Sequence, residues 1–368
     1  MHTITEKDLT VSPMRTNGHS KLDEPKTTVT LTGTPETTLV PLIAKALDAQ
    51  HPDPLLRDLW AKSVIEKLDH DLSKCTSPSS HIPPRTQPAS SKGQKRKRST
   101  TVHESISIPR KREERESPLL LTPPATDQIG NTERVTYAQR ARYLDDWTSA
   151  FLSAHAHEAV TVLHLACGLD SRCLRLQSQW ATSASSSSSP PPSPPREGGD
   201  VRWIDVDLPD VVALRRRLLP NPKGDYRLVA ADVTDEKWLS EVPADRPTVV
   251  IFEGLSMYLS EEVGKDLIRR IVEYFPTGEL LFDTIGSVVV YLQKFESPIM
   301  ATGATFIWGV DNPKDLEALA PQLRLCDCLR PTERMGFDMY PSGFRTLLII
   351  YSWLWWFRDA SYFVRCKF

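Results

Sequence analysis

The sequence predicts a three-layer α/β fold, with a mainly parallel sheet covered by helices on both faces. Three observations predict it. Short β-branched and apolar runs alternate with amphipathic segments along the chain. Acidic or small residues stand at the ends of those runs, where open α/β sheets bind their ligands. Hydrophobic residues make up 40% and charged residues 25% of the 368, close to globular averages, so the chain can build a sizeable core.

The elements follow in order. Leu39–Leu47 and Leu55–Leu68 carry apolar residues three and four apart, the spacing of amphipathic helices. Val135–Ala154 is a third helix, with Tyr143, Leu144, Trp147, Phe151 and Leu152 on one stripe. Val160–Ala166, VTVLHLA, is a buried strand, and Asp170–Leu176 opens the helix after it. Val201–Asp207 is the next strand, followed by a helix over Pro209–Leu218 with proline in its first turn. Tyr226–Ala230 is a short third strand. Thr248–Gly254 is fully apolar up to its glutamate, and a helix runs from Ser260 to Tyr274. Gly278–Gly286 is a further strand. Leu347–Phe357 is the most apolar run, but its eleven residues are about half of what a bilayer requires. It reads as a buried helix or strand near the C-terminus.

Two low-complexity stretches interrupt this order, at about 73–131 and 181–200. Rich in serine, proline and charge, they bury too little apolar surface to offset their ordering entropy and are expected to be disordered. The segments flanking them belong to one fold. We therefore expect a single domain over 28–368 with two long inserts, after a disordered N-terminus at 1–27. The first insert holds Lys95–Arg98 and then Arg110, Lys111 and Arg112. This is the pattern of a two-part nuclear localisation signal, and equally of a solvated charged loop. Met1–Pro25 has no apolar stretch of the kind a secretory signal needs. None of the six cysteines forms a C-x-x-C pair and no His/Cys cluster has zinc spacing, so we expect reduced thiols, no metal and a cytoplasmic location. A net charge of −2 argues against a general nucleic-acid or membrane-surface role.

Four strand ends carry the candidate chemistry. Ala166-Cys167-Gly168-Leu169-Asp170 is a small-residue loop leading into a helix N-terminus. Asp205-Val206-Asp207 offers a carboxylate suited to two ribose hydroxyls, and without the Ser/Pro insert its spacing from the loop is near twenty residues. Asp232 follows the third strand, where it can accept a hydrogen bond from an exocyclic amine. Glu253 ends an apolar strand, an environment that is costly for a carboxylate without a partner. Each position also has a purely structural use: a tight turn for the loop, a helix cap for Asp207, an Asx turn for Asp232.

The ordered series LTGTPETTLVPLIAKAL, DPLLRDLWAKSVIEKLD, YAQRARYLDDW, LHLACGLDSR, IDVDLPDVVALRRRLLP, FEGLSMYL, GELLFDTIG and FIWGVDNPKDLEAL goes further. Together these motifs resemble the leucine carboxyl methyltransferase superfamily, in its polyketide O-methyltransferase branch. The resemblance runs from Leu31 to Phe368 apart from the inserts. It implies a Rossmann-like three-layer sandwich with a mostly parallel seven-stranded sheet and an N-terminal helical lid. It implies S-adenosylmethionine as cofactor and a small-molecule methyl acceptor as partner, with no nucleic acid and no membrane.

Residue by residue, Arg140 matches the arginine that pairs with the methionyl carboxylate, with Arg142 a neighbouring candidate and Lys45 an additional one. Gly168 and Asp170 match the loop beside the methionine portion. Asp207 matches the ribose aspartate, which is why it is preferred over Asp205. Asp232 and Val233 match the adenine contact, and Glu253 a glutamate near the cofactor amine. Two positions depart from the pattern. Ala166 replaces a common glycine, which is tolerable only if its φ is not positive. His164 stands near a position that is often acidic.

An acceptor hydroxyl calls for a general base. Tyr258, Asp283 and His164 are the candidates, each with an alternative structural use. The acceptor pocket is expected beneath the N-terminal helices and the segment around Trp308-Gly309. Phe306, Trp308, Trp353, Trp355 and Trp356 are aromatic candidates for its wall or for core packing. The expected activity is O-methylation of a polyketide-like hydroxyl or carboxyl group. Methylation of a protein's C-terminal leucine is the alternative, disfavoured by TGTPETTLVPL and WGVDNPKDLEAL. A non-catalytic homologue is the third reading, and the retained Arg140, Asp207, Asp232 and Glu253 argue against it.

Overall fold

The computed structural model describes residues 27–28, 39–69, 130–181, 200–293 and 305–368. The expected N-terminal disorder, nearly all of both inserts and the basic run at Lys95–Arg98 lie outside the described residues. The helix expected from Val135 begins at Asn131, at the edge of the first insert.

Seven strands form one sheet. They are β1 (Val160–Leu165), β2 (Val201–Asp207), β3 (Asp225–Ala230), β4 (Thr248–Phe252), β5 (Gly278–Ile285), β6 (Arg324–Leu329) and β7 (Ser361–Lys367). Their order is β3-β2-β1-β4-β5-β7-β6. The first five are parallel, and β7 inserts antiparallel between β5 and β6. The sheet is therefore Rossmann-like and mostly parallel. A two-residue pairing of Thr27–Thr28 with Leu68–Asp69 stands apart from it.

Burial explains why four of these strands are rich in apolar residues. All residues of β1, β2, β4 and β5 are buried, whereas the edge strands β3 and β6 are partly exposed. Alternation sends Leu163, Leu165, Val250 and Phe282 to one face and Val160, Val162, Val249 and Leu281 to the other.

The helices are α1 (Leu39–Gln50), α2 (Leu59–Lys67), α3 (Asn131–Ala154), the single turns α4 (Arg172–Arg175) and α5 (Gln177–Trp180), α6 (Pro209–Leu218), α7 (Glu261–Tyr274), α8 (Ser287–Leu292), α9 (Ser342–Trp353) and the single turn α10 (Trp355–Arg358). Helix α7 covers the first face with Leu267, Ile268, Ile271 and Val272. Helix α3 covers the second with Leu144, Phe151 and Leu152. Ser260 caps α7 by accepting from the Val263 N–H, and Asp58 caps α2 through Trp60 and Ala61. Helices α1 and α2 pack on Leu214 and Leu218 of α6, beside the carboxyl ends of the strands.

The C-terminal apolar run corrects one expectation. It is helical, spanning the last turns of α9 and the short turn Trp355–Arg358, but no residue of α9 is buried, and Trp353 is 85% exposed. Hydrophobic content alone does not select a core position, because the sheet's faces are already covered. Among the described residues no helix is long and apolar enough to cross a membrane.

Candidate active site

The chain order places a topological switch at β1. The strand after it, β2, lies on one side and β4 on the other. Ligands bind outside the carboxyl ends at such a point. A cavity of 450 Å³ opens there, and its lining includes Ala166, Asp207, Asp232, Val233, Glu253 and Asp283. Helix α1 contributes Pro41 to it, and α3 contributes Thr136, Tyr137 and Arg140.

The loop after β1 is more strained than its sequence suggests. Ala166 adopts φ 48°, in the left-handed region, and Gly168 adopts 53°. A left-handed alanine costs about 1–2 kcal/mol, so the departure from glycine has a conformational penalty here. The loop is held from both sides. Arg215 of α6 donates from Nη1 to the Gly168 and Asp170 carbonyls at 2.9 and 2.6 Å. Gly168 N–H donates to Asp207 Oδ2 at 2.6 Å, and Leu208 N–H to Asp207 Oδ1 at 2.7 Å. Burial pushes the Asp207 carboxyl up, against the two backbone N–H groups that favour its ionised form.

Asp205, two residues earlier, shares that face of β2 but lies deeper in the strand. It is fully buried and accepts from Arg215, Trp203 and Tyr226 at 2.7–2.8 Å. Asp232 accepts from the Thr234 N–H and hydroxyl, the turn its sequence suggests, while still lining the cavity. Val233 is buried beside it.

The densest electrostatics lie at the end of β4. Glu253 Oε1 accepts from Lys45 Nζ at 2.9 Å and Arg140 Nε at 3.1 Å, and Oε2 from Arg172 at 2.6 Å. Burial would raise this carboxyl, but Lys45, Arg140 and Arg172 outweigh it and pull it down to about 2. Lys45 also reaches Asp170 at 2.9 Å, and Arg140 reaches Asp283 at 3.0 Å. Arg175 joins Asp170 to Asp145 and Asp58 at 2.6–2.8 Å. Gly254 follows Glu253 with φ 67°, and a Cβ there would come within 3.3 Å of the Arg140 guanidinium.

These geometries meet independent comparisons. The leucine carboxyl methyltransferase family profile matches residues 38–272. The chain belongs to the leucine carboxyl methyltransferase family. It is 36% identical to the tetracenomycin polyketide synthesis O-methyltransferase TcmP of Streptomyces glaucescens, over 81% of this chain and 83% of that one. It is 32% identical to the S-adenosyl-L-methionine-dependent methyltransferase dpfgK of Gibberella zeae, over 91% and 94%. Among solved structures, magnesium protoporphyrin IX methyltransferase of Synechocystis superposes with a TM-score of 0.39 at 8% identity, over 65% of this chain and 88% of that one.

The methyltransferase brings most of the residues singled out in its sequence to one cavity or its charged base, but not all. Arg142 is the clear exception. It lies on the outer face of α3, 46% exposed, paired with Asp146 at 2.8 Å. Two residues along a helix turn a side chain by about 200°, so Arg140 and Arg142 cannot share a site. Of the two roles open to Trp308, the structure shows core packing: its indole packs on Gly264, where a Cβ would come within 2.2 Å of the ring. Trp353 is exposed, and the side chains of Trp355 and Trp356 lie outside what is described. Phe306 does line the cavity, 5.5 Å from Tyr258 between ring centroids.

The candidate bases divide. His164 is buried under the loop against Arg172 at 3.0 Å and does not line the main cavity. Asp283 lines it, but its oxygens already accept from Arg140 and from the Gly254 N–H at 2.6 Å. Sequence reasoning assigned no role to Arg172, Arg175, Arg215 or Arg334. The first two stand inside or just after LHLACGLDSR, three apart on one helical turn. That spacing was the available signal.

Proposed function

We propose that this methyltransferase methylates an oxygen, hydroxyl or carboxyl, of a polyketide-like small molecule. S-adenosylmethionine is the methyl donor. In this reading residues 28–368 form one catalytic domain. The observation that carries it is a single cavity containing both a row of strand-end carboxylates and an aromatic wall of Tyr258, Phe306 and Phe363. The likeness to TcmP, an enzyme of polyketide synthesis by its name, supports the acceptor class.

The residues present fit the donor's chemistry. Each Asp207 oxygen accepts one backbone N–H. A carboxylate oxygen has room for a second donor, so both ribose hydroxyls would find acceptors there. Asp232 and Val233 would meet the adenine. Arg140 uses Nε and Nη1 on Glu253 and Asp283, and Nη2 carries no bond among the described residues. That nitrogen would serve the methionyl carboxylate, while Glu253 and Asp283 would face its ammonium group. Lys45, Asp170 and Gly168 act behind this layer, holding Glu253 and the loop in place.

When bound, S-adenosylmethionine supplies an electrophilic methyl group on a sulfonium. The protein's part is to exclude water and to hold the acceptor oxygen in line, which is worth about 7–11 kcal/mol when well oriented. Asp283 already accepts from Arg140 and from the Gly254 N–H, so its oxygens are poorly placed to take an acceptor's proton. A carboxylate acceptor, ionised at neutral pH, needs no base.

Calorimetric titration with S-adenosylmethionine and S-adenosylhomocysteine tests the reading. Micromolar binding is expected, lost in Arg140→Ala. A folded protein that binds neither would overturn it in favour of a non-catalytic homologue.

A further inference from the structure

Among the described residues, one buried cation in this molecule lacks a counterion. Arg334 follows the turn at Pro331–Glu333, between β6 and β7, and is 5% exposed. The other arginines buried to that degree each pair with a carboxylate. Arg134 meets Asp48 at 2.9 Å, Arg172 meets Asp145 at 2.7 Å, Arg202 meets Asp245 at 2.8 Å and Arg215 meets Asp205 at 2.7 Å. Arg334 has no ion pair among the described residues. Its Nη2 donates to neutral oxygens only: Ser361 Oγ at 2.9 Å, Ser361 O at 3.1 Å and Leu329 O at 3.4 Å. Its Nε is buried with no acceptor among the described residues.

The guanidinium lies 3.7 Å over the ring of Phe363 and lines the 450 Å³ cavity alongside that ring and Phe306. A buried unpaired charge costs several kcal/mol, a cost that the fold elsewhere avoids with carboxylates. Burial, unopposed by a neighbouring carboxylate at contact distance, pulls its pKa down to about 10. It is still charged at neutral pH. Asp283, an acid lining the same cavity, is already held by Arg140 and the Gly254 N–H.

We propose that Arg334 recognises an anionic oxygen of the acceptor, a carboxylate or an ionised phenol. The inference rests on the reading of the cavity as the acceptor site and narrows it to acidic aromatic molecules. Phe363 and Phe306 would take the ring, and Arg334 the charge. The three bonds through Nη2 fix the guanidinium between the end of β6 and the start of β7, so its remaining donors are oriented before the ligand arrives.

The test uses the full chain saturated with S-adenosylhomocysteine and two matched pairs of probes, at a pH where both acids are ionised. These are naphthoate against naphthamide, and dinitrophenolate against dinitroanisole. We expect at least one anion to bind roughly tenfold or more tightly than its neutral partner, the scale of a charged hydrogen bond. Which pair discriminates tells carboxylate from phenolate. Arg334→Gln should abolish the discrimination and Arg334→Lys should restore part of it, with S-adenosylhomocysteine affinity unchanged in both. Anion and neutral probe binding alike in the unaltered protein, neither anion binding, or discrimination that survives Arg334→Gln would each overturn the proposal. Should the glutamine variant not fold, the pairs measured on the unaltered protein still decide. Failure to bind S-adenosylhomocysteine would instead strike the cofactor reading, and the probe pairs would still report on Arg334 in the unloaded protein.

Discussion

The two ends of the cavity handle charge in opposite ways. At the carboxyl end of β4, Lys45, Arg140, Arg172 and Arg175 interlock with Asp58, Asp145, Asp170, Glu253 and Asp283 in a buried network. At the aromatic end, Arg334 has carbonyls, a hydroxyl and a phenyl ring around it and, among the described residues, no acid in contact. The first arrangement is self-sufficient: its charges compensate one another and so hold the backbone of three strand ends together. The second is incomplete without an anion from outside. A charge paired within the fold is held in place before any ligand arrives, whereas a buried charge without a partner calls for one.

The largest effect should come from breaking the self-sufficient end. Glu253→Gln leaves three buried cations short of a carboxylate, and removing one partner of a buried pair costs about 3–5 kcal/mol. Melting temperature should fall by roughly 10 °C. A fall of only one or two degrees would mean that the remaining carboxylates compensate, and that the network is redundant.

Acid sharpens the same contrast. The folded pKa of Glu253, about 2, lies below its ordinary 4.5. Asp170 is also held well below its usual range: burial would raise it, but Arg175, Lys45 and Arg172 prevail. Carboxyls shifted this way stabilise the fold above pH 4.5, and that contribution is lost as pH falls towards 2. Denaturation midpoints should therefore be flat near neutrality and drop below about pH 4.5. Glu253→Gln should show a shallower drop.

The smallest effect concerns backbone rather than charge. Ala166→Gly removes a left-handed alanine but adds backbone freedom to the unfolded chain. A net gain of a few tenths to about 1 kcal/mol is expected. Chemical denaturation that shows a loss would mean the loop relaxes around the methyl group.

How much of this was legible depended on how local each cause was. The apolar runs of β1, β2, β4 and β5 were readable because those strands are buried on both faces. The edge strand β6 and the inserted β7 were not, since charged residues break RLCDCL and SYFVRCK into short apolar pieces. The run within α9 was readable as secondary structure, but its exposure was not. Asp207, Asp232 and Glu253 could be found because strand ends are the expected ligand positions. Arg172 and Arg175 could not be assigned, because their partners come from α2, α3 and β4, far away in the chain.

The sequence by itself determined the alternation of strands and helices, the family and the row of strand-end acids, because periodicity and turn chemistry act over a few residues. Only the tertiary structure decided that Arg140 turns inward while Arg142 faces solvent. It alone showed that Ala166 takes a positive φ and that Arg334 has no counterion among the described residues. These are properties of neighbours brought together by packing, and a side chain's charge has no meaning for function until its surroundings are known.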